Sequence, residues 1–291
     1  MLSIIIPAYY EPFLDKTINS IFESVTEDIE IIVVLDGWKP EQLDKRVKVI
    51  EFNEHRGMRT AINEGIKQAQ GKFILKSDAH CLYAQGFDEI LTKDCQESWL
   101  MVPRRYVLNE VNWEIKRETV FYDYHYLTFP NGETKWGYAL IPFHHWKIYN
   151  DQKIDDTMTF QGSCWVANRE YFLKHIGLLD DKTYAGFGGE QIEISLKYWL
   201  RGGEVKVNKN IWYAHFGKRK HFHLQTNKSS HNLKRSIDVL RSRELLTKHF
   251  INNEIPNMIY PFEWVVEKFW PIPGWEPNWK ELFPKIKYKY L

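Results

Sequence analysis

Ile29-Glu30-Ile31-Ile32-Val33-Val34-Leu35, closed by Asp36-Gly37, is the stretch on which the fold turns. An almost unbroken apolar run of this length, rich in β-branched residues, suits a strand buried on both faces of a parallel sheet. On its amino side, Leu2–Pro7 is a second β-branched run stopped by proline, and Pro12–Val25 carries Leu14, Ile18, Ile21 and Phe22 at helical spacing. On its carboxyl side, Val47–Phe52 reads as a third strand. Met58–Gln70 follows as a helix with Ile62, Ile66 and Ala69 on one face and Gly71 as its stop. Lys72–Leu75 is a fourth strand that runs into Ser77-Asp78-Ala79-His80. Strands alternating with helices at this pitch predict an α/β layered sheet built from right-handed crossovers. Ligands of such sheets sit beyond the carboxyl ends of the strands, where Pro7–Glu11, Asp36 and Asp78–His80 all fall.

Composition narrows the class. The 291 residues are 44% hydrophobic and 15% aromatic, which excludes disorder, collagen and coiled coil. Thirty-nine basic residues balance 38 acidic ones, so no global field recruits DNA or an anionic membrane. Cys81, Cys95 and Cys164 form neither a CxxC pair nor an even disulfide ladder, which points to a reduced, cytoplasmic protein without a cysteine zinc cluster. The opening apolar run is too short for a signal peptide, and no stretch of about 18 apolar residues follows it.

Beyond residue 100 the pattern loosens. Residues 104–160 are rich in aromatics and charges and are expected to form β structure and loops around an acceptor cleft. Phe160–Ala167 reads as a strand, Arg169–Ile176 as a short helix, and Gly189–Arg201 as a helix ended by Gly202-Gly203. Lys206 and Val207 lead through a turn into a strand, Ile211–Ala214, that delivers His215. The stretch from His215 to His231 reads as a mobile loop and Ser236–Phe250 as a helix. The tail from Pro256 intersperses Trp264, Trp270, Trp275 and Trp279 with prolines. The expected division is a catalytic domain over 1–232, with a nucleotide-binding half (1–103) and an acceptor and metal-completing half (104–232), then an extension over 233–291.

Asp78-x-His80 is the first candidate for chemistry. At the end of a strand, residues two apart point the same way, so a carboxylate oxygen and an imidazole nitrogen converge on one cation. Mixed oxygen and nitrogen ligation suits manganese better than calcium. Alone, the pair is more often a strand-end Asp beside a partly buried His; its place in an α/β sheet, and the cations Arg56 and Arg59 upstream, favour the metal.

With these residues in view, the chain resembles the donor-binding half of the polypeptide N-acetylgalactosaminyltransferases and, more widely, the family-2 glycosyltransferases. The likeness runs through His55-Arg56-Gly57-Met58-Arg59-Thr60-Ala61 and Gly71 to Cys81. It continues through Pro7-Ala8-Tyr9-Tyr10-Glu11, with Tyr10 in place of the usual Asn, and through Asp36, Phe187-Gly188-Gly189-Glu190-Gln191-Ile192-Glu193 and Tyr213-Ala214-His215-Phe216-Gly217-Lys218. It covers about residues 2–220 in one order. The resemblance implies a GT-A nucleotide-diphospho-sugar transferase fold, a Rossmann-like mixed sheet flanked by helices. It implies a UDP-sugar donor contacted by Pro7, Tyr9, Glu11, Asp36 (at the uracil), Arg56, Gly57, Arg59, Ser77 and Phe187. It also implies a Mn2+ (or Mg2+) cofactor held by Asp78, His80 and, as third ligand, His215.

These parts fit a reaction in which a diphosphate departs. A cation neutralises the developing charge, and Lys218, followed by Arg219 and Lys220, is placed to close over the diphosphate, although such a charge run is equally a solvated loop. Glu190, in the first turn of a helix behind Gly188-Gly189, is expected to hydrogen-bond a sugar or acceptor hydroxyl; a helix cap is the plainer use of it. Many inverting enzymes of this fold carry an Asp directly after that Glu as general base. Gln191 stands there instead, which favours retention of anomeric configuration, with Glu193 as the substitute base if inversion applies. Asp36 has an ordinary alternative as a strand-terminating turn residue. Trp165 and Phe187 are candidates to wall the sugar pocket or to pack the core. His144-His145 has no third ligand, and Ser163 and Cys164 have no flanking base.

A nucleotidyltransferase would need a Gly-rich basic loop after the first strand, which Pro7–Pro12 lacks. A non-catalytic sugar-nucleotide or glycan binder has no need for Asp78, His80 and His215 together. The family's luminal anchor and lectin domain find no counterpart here, so protein, glycan, lipid intermediate and hydroxymethylated DNA all stay open as acceptors. The last draws on Lys228, Lys234, Arg235, Arg241 and Arg243 along one predicted helix.

Overall fold

The computed structural model describes residues 1–133, 137–144, 146, 151–184, 188–217 and 229–291, the first eight of the last group as backbone only. Strand β1 (Leu2–Ala8) leads to helix α1 (Leu14–Ser24), β2 (Ile29–Asp36), β3 (Lys48–Phe52), α2 (Met58–Gln68), β4 (Phe73–Ser77), β5 (Cys81–Tyr83), α3 (Phe87–Asp94) and the long β6 (Trp99–Asn109). Two- and three-residue strands follow: β7 (Glu114–Ile115), β8 (Phe121–Tyr122), β9 (Tyr126–Leu127), β10 (Pro142–Phe143) and β11 (Ile154–Asp156). Then come β12 (Cys164–Asn168), α4 (Arg169–Tyr171) running into a π-turn, α5 (Glu190–Leu200), β13 (Glu204–His215), α6 (Ser229–Ile251), α7 (Phe262–Lys268) and α8 (Trp279–Leu282).

The main sheet runs β11-β13-β6-β12-β4-β1-β2-β3. β4, β1, β2 and β3 are mutually parallel, whereas β12 is antiparallel to both its neighbours. Alternation along the parallel strands supplies two cores. Ile5, Ile32 and Val34 meet Ala61, Ile62 and Ile66 of α2 on one face. Ile4, Ile6, Ile31 and Val33 meet Leu14, Ile18 and Ile21 of α1 on the other.

Four local readings change. The turn expected between Val207 and Ile211 is absent, and β13 is one strand of 12 residues with a register shift between Asn208 and Trp212. The turn-like Asn208-Lys209-Asn210 is a bulge, held because buried Asn208 donates to Asp94 at 2.8 Å and accepts from the Asn210 amide at 2.9 Å. β12 begins only at Cys164, because the Ser163 amide turns back onto the Gln161 carbonyl at 2.9 Å. The expected helix over 169–176 relaxes after one turn into π geometry, Gly177 donating to Phe172 at 2.7 Å. The helix expected at Ser236–Phe250 starts seven residues earlier, at Ser229.

The segment after α6 packs into the main core. Trp275 and Trp279 are buried with Phe262, Val265 and Val266, and the Trp275 indole donates to the Leu127 carbonyl at 2.7 Å. Phe129 meets Trp275 at 5.2 Å and Phe283 at 6.1 Å, so the tail supplies the interior for the short strands of the middle segment. The three cysteines are buried free thiols, with Cys95 and Cys164 pushed up to about 12 by burial. Among the described residues, no helix is long and apolar enough to cross a membrane.

Candidate active site

The carboxyl ends of β4, β1 and β2 lie side by side in the sheet, and the loops that leave them carry the chemistry. Asp78 follows β4 and is anchored by its amide, which donates to the Ser163 carbonyl at 2.7 Å. His80 precedes β5, and His215 closes β13, paired in register with Cys81; the Phe216 amide ties the two segments by donating to the His80 carbonyl at 3.1 Å. Three distant pieces of chain thus converge. His215 Nε2 lies 3.1 Å and His80 Nε2 3.8 Å from Asp78 Oδ2, and one ligand atom from each residue falls within 4.8 Å of the others.

This donor set fits a divalent cation. Bonds of about 2.1 Å to an octahedral ion separate neighbouring ligand atoms by about 3 Å, close to the spacing present. Burial drives His215 down to about 3, against the raising effect of its hydrogen bond to Asp78, so the imidazole is neutral. Burial also opposes ionisation of Asp78, but Lys76, with the two histidines behind it, holds the carboxyl well below its ordinary range. A carboxylate beside the neutral imidazole of His215 is a protonation state that ligates a metal without first losing a proton. His215 Nδ1 is buried with no hydrogen-bond partner.

Two supporting groups escaped the sequence reading. Lys76 is 3% exposed; its ammonium binds Asp78 Oδ1 and donates to the Gly162 carbonyl at 2.8 Å. It occupies one carboxylate oxygen and leaves Oδ2 toward the histidines. Alternation along β4 buries position 76 and gives no hint of its partner. Glu11 accepts from or faces His80 Nδ1 at 3.2 Å, which orients that ring; the sequence had assigned Glu11 to the donor.

On the β1–β2 side, Asp36 behaves differently from its assigned role at a nucleobase. Its Oδ1 accepts the Arg56 amide at 2.6 Å, and its Oδ2 accepts the Gly57 amide at 2.9 Å and faces His55 Nδ1 at 2.9 Å. The carboxylate is committed to the loop that enters α2. Gly37, at φ +71°, makes that approach possible, since a Cβ there would lie 2.4 Å from the His55 nitrogen. Above the strand ends, Tyr9 stacks on His55 at 4.2 Å and meets Tyr10 at 4.8 Å, with Trp38 6.0 Å beyond Tyr10. Tyr10 (φ 50°) and Trp38 are aromatics the sequence did not single out for the donor.

Several of the expected donor residues are engaged by the protein itself. Pro7 is buried inside β1 opposite Val34. Ser77 is fully buried, and its hydroxyl donates to the Asp78 carbonyl and accepts from Tyr83. Arg59 is 3% exposed and paired with Glu193. Arg56 is exposed, with its guanidinium 4.7 Å over Phe52, and Gly57 caps α2. Glu193, the substitute base, is fully buried and also takes Lys197 at 2.5 Å and the Asp180 amide at 3.1 Å. Its oxygens are occupied. Trp165 is a core residue, stacked on Phe172 at 5.5 Å.

Glu190 opens α5 and accepts the Gly188 amide at 3.0 Å. Gly188, at φ +95°, lies under Arg243 of α6: a Cβ there would come 2.0 Å from the guanidinium. Arg243 is thus turned inward toward Gly188, and the basic stretch does not form one outward face for nucleic acid, although Arg241 is exposed. Phe187, Lys218 and Lys228 lie outside the described residues, as do the side chains of Lys234 and Arg235.

With this geometry in hand, comparison with known proteins is informative. The model of the glycosyl transferase family 2 matches residues 3–176. Mouse polypeptide N-acetylgalactosaminyltransferase 6 is 27% identical over 195 residues, covering 61% of this chain and 30% of that protein. A fruit-fly protein, putative polypeptide N-acetylgalactosaminyltransferase 13, is 25% identical over 233 residues, covering 71% of this chain and 39% of its own length. The chain therefore spans roughly a third of the curated relatives it matches. The crystal structure of GalNAc-T7 with UDP, GalNAc and Mn2+ superposes with a TM-score of 0.68 at 19% identity, over 92% of this chain and 56% of that one. That likeness establishes the shared fold, the GT-A architecture the sequence implies.

Proposed function

The chain belongs to glycosyl transferase family 2, and on that premise we propose that it transfers a hexosyl or N-acetylhexosaminyl group from a UDP-sugar to an acceptor hydroxyl, with a divalent cation, Mn2+ or Mg2+, as cofactor. The observation that carries this reading is the convergence of Asp78, His80 and His215 from three separate stretches of chain at the carboxyl ends of the strands. The relatives' names, and the UDP and Mn2+ in the GalNAc-T7 structure, support the donor and the metal.

Asp78 Oδ2, His80 and His215 would hold the cation. When bound, it acts as a Lewis acid that neutralises the charge developing on the departing diphosphate. The rest is done by this chain. Lys76 fixes the Asp78 carboxylate and Glu11 fixes the His80 ring, so the ligands need little reorganisation when the donor binds. The Asp36 clamp holds residues 55–57 against the strand ends and keeps His55 packed on Tyr9, aromatic rings on which a base can stack. Glu190, at the amino end of α5, offers a carboxylate oxygen to a hydroxyl of the sugar or acceptor.

Retention is the stereochemical reading. Gln191 cannot take a proton, and Glu193 is locked between Arg59 and Lys197. With neither as base, the acceptor oxygen bonds to the anomeric carbon on the face from which the diphosphate leaves. The hydroxyl proton passes to the departing phosphate oxygen as the old C–O bond breaks.

Donor hydrolysis, followed by UDP release from UDP-glucose, UDP-galactose and their N-acetyl counterparts, tests the proposal. Turnover of at least one donor is expected with Mn2+, with loss in EDTA and recovery on adding metal back. Turnover that ignores chelator, or no UDP binding by calorimetry with Mn2+ present, overturns it. The anomeric coupling of the first-formed product, read by NMR, decides retention against inversion.

A further inference from the structure

β6 carries two consecutive arginines with opposite fates. Arg104 faces one side of the sheet and is held by Asp123 through two bonds, Nε at 2.8 Å and Nη2 at 2.7 Å. Arg105 faces the other side and has no carboxylate or hydrogen-bond partner among the described residues; its Nε is buried and unsatisfied. The Tyr122 ring lies 5.0 Å from the guanidinium. Arg105 is half-buried, and the five donors of its rigid fork suit a carboxylate or phosphate.

Its position gives that vacancy a meaning. β6 and β13 pair in parallel register, Arg105 opposite Tyr213 and Val107 opposite His215, so Arg105 and His215 share one face, two residues apart on adjacent strands. Their Cα atoms are about 8 Å apart by strand geometry. Arg105 lies on the β6–β13 side of the cation cluster, whereas the Tyr9–His55 platform and the Asp36 clamp lie on the β1–β2 side. It therefore stands away from the nucleotide.

The surroundings on that side are built for a ligand. His125 is 5% exposed and its Nε2 has no hydrogen-bond partner. Burial, with Arg105 and His144 nearby, keeps its imidazole neutral. His144 sits edge-on to Tyr122 at 4.4 Å and 6.1 Å from His125, and Phe143 stacks on His144 at 5.5 Å while remaining 38% exposed. The neutral imidazole of His125 and the aromatic rings beside one guanidinium make a cationic patch with an apolar rim, suited to a sugar or polyol that carries a negative charge.

Resting on the transferase reading, we propose that Arg105, with His125 and the Tyr122–His144 pair, forms an oxyanion subsite for the acceptor, taking a phosphate or carboxylate group close to the hydroxyl that receives the sugar. The net charge of the chain, only +1, makes this a local device rather than a general affinity for polyanions.

Glycerol 1-phosphate and glycerate serve as the charged probes and glycerol as the neutral one, titrated by NMR into the protein with and without UDP and Mn2+. Saturable binding of at least one anion but not glycerol is expected, at least tenfold weaker in Arg105→Gln and restored to within about threefold in Arg105→Lys. UDP affinity should change less than twofold in either variant. Whichever anion binds tighter identifies the group. No saturable anion binding, equal binding by Arg105→Gln, or a tenfold loss of UDP affinity in that variant overturns the proposal, the last by assigning Arg105 to the donor. Should the unaltered protein bind no UDP with Mn2+, the transferase reading falls, and the nucleotide-free titration still decides the role of Arg105.

Discussion

Asp36 and Asp78 occupy equivalent places: each is a carboxylate at the carboxyl end of a parallel strand, β2 and β4, with one strand between them. Their partners differ. Asp36 is met by two backbone amides and a histidine, groups that belong to one loop and hold it in one shape. Asp78 is met by a buried lysine and two histidines from separate segments, side chains that can admit a cation between them. A carboxylate spent on backbone N–H groups shapes a loop; one faced by imidazoles from separate segments is placed to share a cation.

The same substitution at both positions breaks the comparison most directly, with the larger effect at Asp78. Asp78→Asn keeps an oxygen for Lys76 and removes the charge that a cation needs. Turnover is expected to fall about 10³-fold or more, since metal stabilisation of a leaving group amounts to several kcal/mol, and Mn2+ should no longer raise the melting temperature. Asp78→Ala would confound the measurement, because Lys76 would be left charged and buried. Full turnover in Asp78→Asn removes the cation from the mechanism.

Glu193 sharpens the contrast as a third carboxylate, one that is purely structural. Both its oxygens are taken, by Arg59 and by Lys197 and the Asp180 amide, and the residue is fully buried. Glu193→Ala leaves two buried cations without their anion, a change worth about 3–5 kcal/mol of stability. Denaturant unfolding measures it. A loss below about 1 kcal/mol would return Glu193 to the list of candidate bases.

Legibility followed the same division. β1 to β4 were readable because each is a short run whose alternation and punctuation are local, and Asp78 and His80 were found by their place at a strand end. His215 came only with the family likeness: 137 residues separate it from Asp78, and nothing in its own neighbourhood points to a cation. The partners of Arg59 and Asp36 were hidden for another reason. Residue type predicts that an Arg or Asp seeks a partner, but register and loop shape choose it, and both chose protein groups over ligand. The middle segment was opaque because its interior is Trp275 and Phe283, more than 140 residues after the Leu127–Phe129 stretch they cover.

His125 extends the comparison to pH, with a smaller effect. Its folded-state affinity for a proton is well below that of an ordinary imidazole, chiefly through burial. Below about pH 6.5 the unfolded chain therefore binds a proton that the folded one refuses, so stability declines as pH falls from 6.5 toward the depressed folded value. The slope from one such group is at most about 1.4 kcal/mol per pH unit. Arg105 and His144 face the ring and add to the depression that burial sets; His215, similarly depressed, adds a parallel decline. In His125→Gln the stability curve between pH 6.5 and 4.5 should flatten by up to that slope, measured by urea unfolding at each pH. An unchanged curve would mean that His125 takes up its proton in the folded state.

Asp36→Asn carries the smallest effect and is the most discriminating for that reason. The amide retains one acceptor oxygen, so one of the Arg56 and Gly57 N–H groups keeps its bond while the other loses it and His55 loses its anion. The unmade bond costs about 1–2 kcal/mol, spent locally in the loop between β3 and α2. UDP affinity should weaken about tenfold, the binding equivalent of roughly 1.4 kcal/mol, because the Tyr9–His55 surface loses its support. Turnover at saturating donor should stay within about twofold, since Asp36 touches none of the cation ligands. Calorimetry and steady-state kinetics separate the two terms. If Asp36→Asn instead lowers turnover as Asp78→Asn does, the two strand ends act as one catalytic unit and the distinction between builder and actor fails.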